Sequence, residues 1–244
     1  MTVAPLIRAA RRLGREAAAL RFGPPVAFVY NPLSYARQPH EQYLLGFGSG
    51  RKRIVLLGMN PGPWGMAQTG VPFGEITLVS DWLGIRGTVT PPGGGHPRVR
   101  VLGFDCPRHE VSGARLWGWL RQRYGSAEEM ARELFVSNYC PLMFLDSSGR
   151  NITPDRLRQA DQEALFPPCD RFLVAVLEAA RPEWLVGVGR FAERRAVSVC
   201  RQAGRPVRVT SILHPSPANP RSQKDWAVTV EAALVSEGVF DTVT

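Results

Sequence analysis

Long apolar runs are absent from this sequence of 244 residues, and so is any close pairing of cysteines. Without a run of about 18 apolar residues, no segment is expected to span a membrane. The four cysteines, at positions 106, 140, 169 and 200, form no C-x-x-C pair, which argues against the common zinc and iron–sulfur patterns. We therefore expect four buried thiols and neither a metal nor a cofactor. Residues 1–20 also lack an apolar signal segment, which favours a cytoplasmic location.

Lysine is also scarce, because Lys52 and Lys224 are the only lysines among 30 basic side chains. With 21 acidic side chains, the formal net charge is +9. The excess is concentrated in residues 1–53 (nine basic, two acidic) and 86–123 (seven basic, two acidic). A basic surface attracts polyanions such as nucleic acid, whereas a GC-rich genome raises the arginine content without any such role. Charge alone leaves both interpretations open.

Short apolar runs alternate with helical patterns along the chain. The runs cover residues 53–59, 134–140, 184–189 and 207–213. Continuous rather than alternating hydrophobicity is typical of strands that are buried on both faces of a parallel sheet. Helical spacing is found at 3–21, 111–124, 190–202 and 224–237, and Thr153-Pro154 predicts a helix start. That helix should reach about Leu165, be interrupted by Pro167 and Pro168, and be followed by another to about Ala180.

This alternation predicts an α/β protein, a single domain with a central, mainly parallel four-stranded sheet flanked by helices. In such sheets, ligands bind outside the carboxyl ends of the strands. At the ends of three of the predicted strands stands a polar side chain, Asn60, Asn138 or His214, which is soon followed by proline. Because proline and glycine restrict these loops, the three side chains are expected to converge on one cleft.

The remaining strand is followed by residues 187–192, which fit a G-x-G-x-x-A dinucleotide-binding pattern. Such a site also needs an acidic residue about 20 positions further on, and residues 207–210 contain none. A nucleotide-dependent enzyme is therefore a weaker hypothesis than close packing of the strand against a helix.

The strand-end motifs resemble those of the single-strand-selective monofunctional uracil-DNA glycosylases, a branch of the uracil-DNA glycosylase superfamily. The similarity rests on residues 58–75, 138–142 and 214–220, and extends to 103–118 and 186–192. It covers the chain from about residue 25, so residues 1–24 are expected to form a helical extension of the domain. The implied activity is hydrolysis of the N-glycosidic bond of uracil in DNA, which initiates base-excision repair.

By this resemblance, Asn60 orients the attacking water and His214 donates a hydrogen bond to O2 of the departing uracil. An amide is not a strong base, but orientation is sufficient when the sugar is oxocarbenium-like. Related branches have aspartate in place of Asn60, so asparagine predicts a slower enzyme.

The resemblance also implies a base-binding set. Asn138 is expected to read N3–H and O4 of uracil, and Phe73 to stack on the flipped base. Met59 and Gly62 are expected to line the pocket. Gly62 leaves space where other branches place a ring that excludes thymine, which implies tolerance of uracils modified at C5.

Residues 215–226 match the segment that wedges into DNA in this family. The expected DNA contacts are Ser216, Ala218, Asn219, Arg221 and Lys224. The sequence departs from the family pattern at Ala218, where vertebrate members typically have an intercalating arginine. Alanine is too small to fill the gap that a flipped base leaves.

Three hypotheses follow. The first is a monofunctional uracil-DNA glycosylase, nucleoid-associated if the protein is bacterial, that acts on single- or double-stranded DNA. It needs no obligatory protein partner. The second is a non-catalytic reader of damaged or single-stranded DNA, and the third is the nucleotide-dependent enzyme.

Overall fold

The computed structural model describes residues 4–217 and 225–241. Its strands are β1 (Phe28–Tyr30), β2 (Ile54–Gly58), β3 (Leu134–Asn138), β4 (Met143–Leu145), β5 (Asn151–Ile152), β6 (Trp184–Val188) and β7 (Arg208–Ile212). Four of them form a wholly parallel sheet in the order β3-β2-β6-β7. Every residue of β2, β3 and β6 is buried, as expected for strands covered on both faces. The four predicted strands and the α/β class are confirmed.

Helices cover both faces of this sheet. They are α1 (Pro5–Ala19), α2 (Pro32–Tyr35), α3 (Arg37–Phe47), α4 (Met66–Thr69), α5 (Val111–Tyr124), α6 (Ala127–Glu133), α7 (Gln159–Ala180), α8 (Arg190–Gln202) and α9 (Trp226–Ser236). The N-terminal helix α1 packs on α7, and its apolar face belongs to the same hydrophobic core as the sheet. Among the described residues, no helix is both long and apolar enough to cross a membrane.

Two predictions about the segment before β6 are wrong. Thr153-Pro154 begins only a short 3-10 turn, Pro154–Arg156, and α7 then runs without interruption through Pro167 and Pro168. The two prolines remove the N–H groups that would bond to the carbonyls of residues 163 and 164. Both of these residues are exposed, so water can satisfy their carbonyls. Burial of the opposite face of α7 keeps the helix continuous.

A second, antiparallel sheet was not predicted. It has the strand order β1-β4-β5, and two or three residues per strand are too few to show a readable period. Beside it, residues 88–97 are irregular, and His96 is buried there and donates its backbone N–H to Tyr30 Oη at 2.6 Å. All four cysteines are buried free thiols, as predicted.

Candidate active site

A cleft of about 490 Å³ opens at the carboxyl ends of β2, β3 and β7. The strand-end side chains predicted to meet are all among its lining residues, which include Met59, Asn60, Gly62, Phe73, Asn138, His214 and Ser216. The parallel register brings them together, because Gly58 at the end of β2 is paired with Asn138 at the end of β3. Residues far apart in sequence therefore share one edge of the sheet.

Asn60 lies two residues beyond β2 and is held by its amide nitrogen. Nδ2 donates to the carbonyl of Leu142 at 3.1 Å and lies 3.5 Å from the carbonyl of Pro61. Within the described residues, no hydrogen bond engages Oδ1 of Asn60. The side chain therefore offers a fixed acceptor to a molecule bound in the cleft.

His214 follows β7 and is neutral at physiological pH. Burial lowers its pKa from 6.5 to about 4. Its Nδ1 accepts a hydrogen bond from the backbone N–H of Ser216 at 3.1 Å. A neutral imidazole whose Nδ1 accepts must have its proton on Nε2. His214 is therefore a neutral donor with a fixed tautomer.

Asn138 is 7% exposed, and its Oδ1 has no hydrogen-bond partner in the described part of the chain. Its Nδ2 donates only to the sulfur of Met66, at 3.2 Å, which is a weak acceptor. An unpaired buried amide oxygen is costly unless a ligand satisfies it. Asn138 thus presents Oδ1 as an acceptor and the weakly bonded Nδ2 as a donor to a molecule in the cleft.

Gly58 makes room for this arrangement. A Cβ at Gly58 would lie 2.5 Å from Cε2 of Phe73, and Oδ1 of Asn138 is closer still. The amide of Asn138 and the ring of Phe73 therefore pack directly on the backbone of β2. Sequence reasoning did not predict this role, because Gly58 lies within the apolar run 53–59, where nothing indicates which side chains approach it.

Phe73 is held in an unusual backbone conformation, with φ of 54°. Its carbonyl accepts from the N–H of Glu75 at 2.7 Å, and the neighbouring carbonyl of Pro72 accepts from Nε1 of Trp117 at 3.1 Å. The Phe73 ring lies 6.1 Å from the imidazole of His214. A non-glycine residue at positive φ persists only where its surroundings fix it, and such residues cluster at ligand sites.

Sequence reasoning missed several lining residues. These are Trp64, His109, Glu110, Ser112, Asn151 and Thr153. Arg108 lies over the ring of Trp64, 5.1 Å from its centroid, and His109 contacts the carboxylate of Glu75 at 3.2 Å. Trp64 lies within 58–75, and His109, Glu110 and Ser112 lie within 103–118, so the family resemblance covered these stretches without marking these residues.

The expected DNA contacts are placed only in part. Ser216 lines the cleft and donates its N–H to His214, whereas Ala218, Asn219, Arg221 and Lys224 lie outside the described residues.

The glycine pattern at 187–192 has a packing explanation. A Cβ at Gly187 would lie 2.7 Å from the Cα of Glu193 in α8, which favours close strand–helix packing over a nucleotide site.

The model of the uracil DNA glycosylase superfamily matches residues 45–234 of this chain. Together with the sheet and the cleft at its edge, this match defines the class: the chain belongs to the uracil DNA glycosylase superfamily. Within it, the resemblance to the single-strand-selective monofunctional family is confirmed by curated relatives of that name. The rat protein is 45% identical over 233 residues, which cover 96% of this chain and 84% of the relative. The bovine protein is also 45% identical, covering 96% of this chain and 86% of that relative.

Similarity of fold extends to a solved structure. The crystal structure of Pedobacter heparinus SMUG2 superposes with a TM-score of 0.67, covering 96% of this chain and 99% of that one. Its sequence identity is only 17%, so this likeness concerns the fold alone.

Proposed function

We propose that this protein hydrolyses the N-glycosidic bond of uracil in DNA, the activity named for its curated relatives. The observation that carries the proposal is the cleft in which Asn60, Asn138 and His214 each present an unused polar atom. In the reaction, the bond between C1′ and N1 breaks and its electron pair passes to the uracil. A water oxygen then bonds to C1′, and its proton is released to solvent.

His214 stabilises the leaving group in this scheme. Uracil O2, on which negative charge develops, accepts a hydrogen bond from Nε2–H of His214. The contact of Ser216 with Nδ1 keeps the proton on Nε2. A neutral donor suffices because the imidazole of His214 is largely buried, and hydrogen bonds to charge are stronger away from water. Asn60 orients the water through Oδ1, while its Nδ2 remains bonded to Leu142.

Asn138 reads the base. Its unpaired Oδ1 accepts from N3–H of uracil, and Nδ2 exchanges the sulfur of Met66 for O4. Cytosine offers the opposite donor and acceptor pattern at these positions, so a paired contact of this kind discriminates by roughly 1–3 kcal/mol. Phe73 stacks on the flipped base.

Water rather than an amine is the nucleophile. Lys52, the one lysine within the described residues, is buried and donates to the carbonyl of Ala131, away from the cleft. It has no route to a sugar bound beside Asn60, so Schiff-base chemistry is not expected from it. Lys224 lies outside the described residues, so only Lys52 is excluded as a nucleophile on this ground, in agreement with the monofunctional activity named for the curated relatives.

We expect the second basic segment, residues 86–123, to attract DNA more strongly than residues 1–53 do. In residues 1–53, five arginines form ion pairs with glutamates. By contrast, five exposed arginines of the second segment form no ion pair with a carboxylate in the described residues: Arg86, Arg98, Arg100, Arg108 and Arg121. Arg108 lies at the rim of the cleft, over Trp64. Such unpaired charges support binding to single- and double-stranded DNA. With DNA as the substrate, we expect the protein to act in the cytoplasm, at the nucleoid if it is bacterial.

The deciding experiment is excision of uracil from single- and double-stranded oligonucleotides, detected by alkaline cleavage at abasic sites. Asn60→Ala with His214→Ala should abolish excision while DNA binding is retained. If the wild-type protein binds these oligonucleotides but excises no uracil, the protein is a non-catalytic reader of DNA.

A further inference from the structure

Arg115 contacts the segment that carries His214, although it does not itself line the cleft. It lies at the start of the second turn of α5, and its Nη1 donates to the carbonyl of Pro215 at 2.8 Å. This contact joins positions 100 apart in the sequence. The guanidinium is partly buried, and hydrogen bonds from a charged donor are stronger than those between neutral groups. Arg115 therefore holds the carbonyl of Pro215 in place.

The carbonyl of Pro215 and the backbone N–H of Ser216 belong to the same peptide group. That N–H donates to Nδ1 of His214 at 3.1 Å. The peptide group is trans and planar, so its C=O and N–H point in opposite directions. Holding the oxygen at one end therefore also fixes the direction of the N–H at the other end.

The opposite orientation of this peptide group would reverse the tautomer of His214. The carbonyl of Pro215 would then lie where the N–H of Ser216 now lies, and only a protonated Nδ1 could bond to it. In a neutral imidazole, a proton on Nδ1 leaves Nε2 without one, so Nε2 could no longer donate to a leaving group. The guanidinium of Arg115 would also face an N–H, which is a second donor. Arg115 therefore disfavours the opposite orientation.

The helix that carries Arg115 is anchored through other residues as well. A side chain at Gly113 would collide with the carbonyl of Phe73, so the first turn of α5 lies directly against that backbone. Trp117, one turn further along, donates Nε1–H to the carbonyl of Pro72 at 3.1 Å. Because these contacts are independent of Arg115, replacing that residue should leave α5 in position.

We propose that Arg115 is a positioning residue, which keeps the proton of His214 on Nε2 by holding the peptide group that follows Pro215. A charged donor at the carbonyl also polarises the peptide group, which strengthens the hydrogen bond from its N–H to Nδ1. Arg115 acts on the reaction through the imidazole, and this role rests on the uracil glycosylase function proposed above.

The test compares Arg115→Met and Arg115→Lys with the wild-type protein. Methionine has a side chain of similar length without a donor, whereas lysine keeps a cationic donor. Arg121→Met is the matched control, because Arg121 is exposed on the same helix and does not line the cleft. Nitrogen NMR of isotope-labelled histidine reports which ring nitrogen carries the proton, and comparison with His214→Ala assigns the signals of His214. Thermal unfolding checks that each variant is folded.

We expect His214 to be protonated on Nε2 in the wild-type protein, in Arg121→Met and in Arg115→Lys. In Arg115→Met, a large fraction should instead carry the proton on Nδ1. Single-turnover excision of uracil should fall roughly 10- to 100-fold in Arg115→Met, with a much smaller loss in Arg115→Lys. If a folded Arg115→Met variant keeps the proton on Nε2, the proposal is wrong.

A double-mutant cycle separates this role from a merely structural one. In the His214→Ala background, Arg115→Met should lower excision by less than about twofold, because its effect passes through the imidazole. An equal loss in both backgrounds would contradict the proposal.

The wild-type spectrum tests the proposal even if the Arg115 variants do not fold. A proton on Nδ1 of His214 in the wild-type protein would overturn it. A wild-type protein that excises no uracil would instead refute the proposed function, while the NMR comparison would still show whether Arg115 fixes the tautomer.

Discussion

Replacing Gly58 by alanine should disable the site through its geometry while leaving the fold in place. Real Cβ atoms essentially never approach other atoms to less than 3.0 Å, and the new Cβ would lie 2.5 Å from the ring of Phe73. The ring must therefore retreat by at least 0.5 Å (3.0 − 2.5), and Oδ1 of Asn138, which is closer, must move further. A misplacement of about 1 Å can reduce a rate about 100-fold, because reacting groups lose their alignment. We expect Gly58→Ala to lower single-turnover uracil excision by roughly that factor.

The assay needs a control that distinguishes the effect of the steric clash from the effect of replacing a glycine by alanine. A methyl group added at Gly118 in α5 would meet no atom from elsewhere in the fold within 4 Å, so Gly118→Ala makes the same change without a clash. It should retain full activity and gain up to about 1 kcal/mol of stability from helix propensity. Thermal unfolding by circular dichroism would show that Gly58→Ala is folded. If a folded Gly58→Ala variant excises uracil within threefold of the wild-type rate, the close packing of Asn138 and Phe73 on β2 is not required for activity.

Three further predictions concern other parts of the chain. His40 is buried, and burial lowers its pKa from 6.5 to about 4. The unfolded chain therefore binds the proton first, and stability is lost as the pH falls from 6.5 to 4, by at most about 3 kcal/mol. His40→Asn keeps a donor toward the Gly70 carbonyl but does not titrate in this range. Denaturant titrations should therefore show a smaller loss of stability at low pH than in the wild-type protein. Asn138→Asp removes the amide donor, so the preference for uracil over cytosine should fall about 10-fold or more in excision assays; an unaltered ratio would contradict base reading by Asn138. Ala218→Arg should tighten binding to duplex DNA with an abasic site in a fluorescence-anisotropy titration, and flat affinity would place residue 218 away from the gap.

Most of the parallel sheet was predictable because β2, β3 and β6 are buried on both faces. Burial on both faces requires continuous apolar runs, and these are visible in any sequence. The continuity of α7 was not predictable, since it depends on what Pro167 and Pro168 meet. Only the fold reveals that the carbonyls left unbonded belong to exposed residues.

The same distinction applies to the site. Asn138 ends β3, and Asn60 and His214 each lie two residues beyond their strands, so the sheet alone brings the three side chains together. Gly58 and Arg115 matter through close approach to residues 15 or more positions away, which no spacing in the sequence encodes. The tautomer of His214 likewise depends on a single backbone N–H, that of Ser216.

Gly189, the residue immediately before α8, brings His214 close to the amino end of that helix. Gly189 has φ of 90°, and a Cβ there would lie 3.4 Å from Cβ of His214 and 3.8 Å from its Cδ2. The imidazole therefore sits over the amino end of a 13-residue helix, where the aligned peptide dipoles provide a positive potential. That potential opposes an imidazolium and favours an anionic base, and backbone dipoles neither gain nor lose protons. Removal of uracil should consequently depend little on pH well above the pKa of His214, which is about 4, because no side chain needs to ionise for the leaving group to be stabilised.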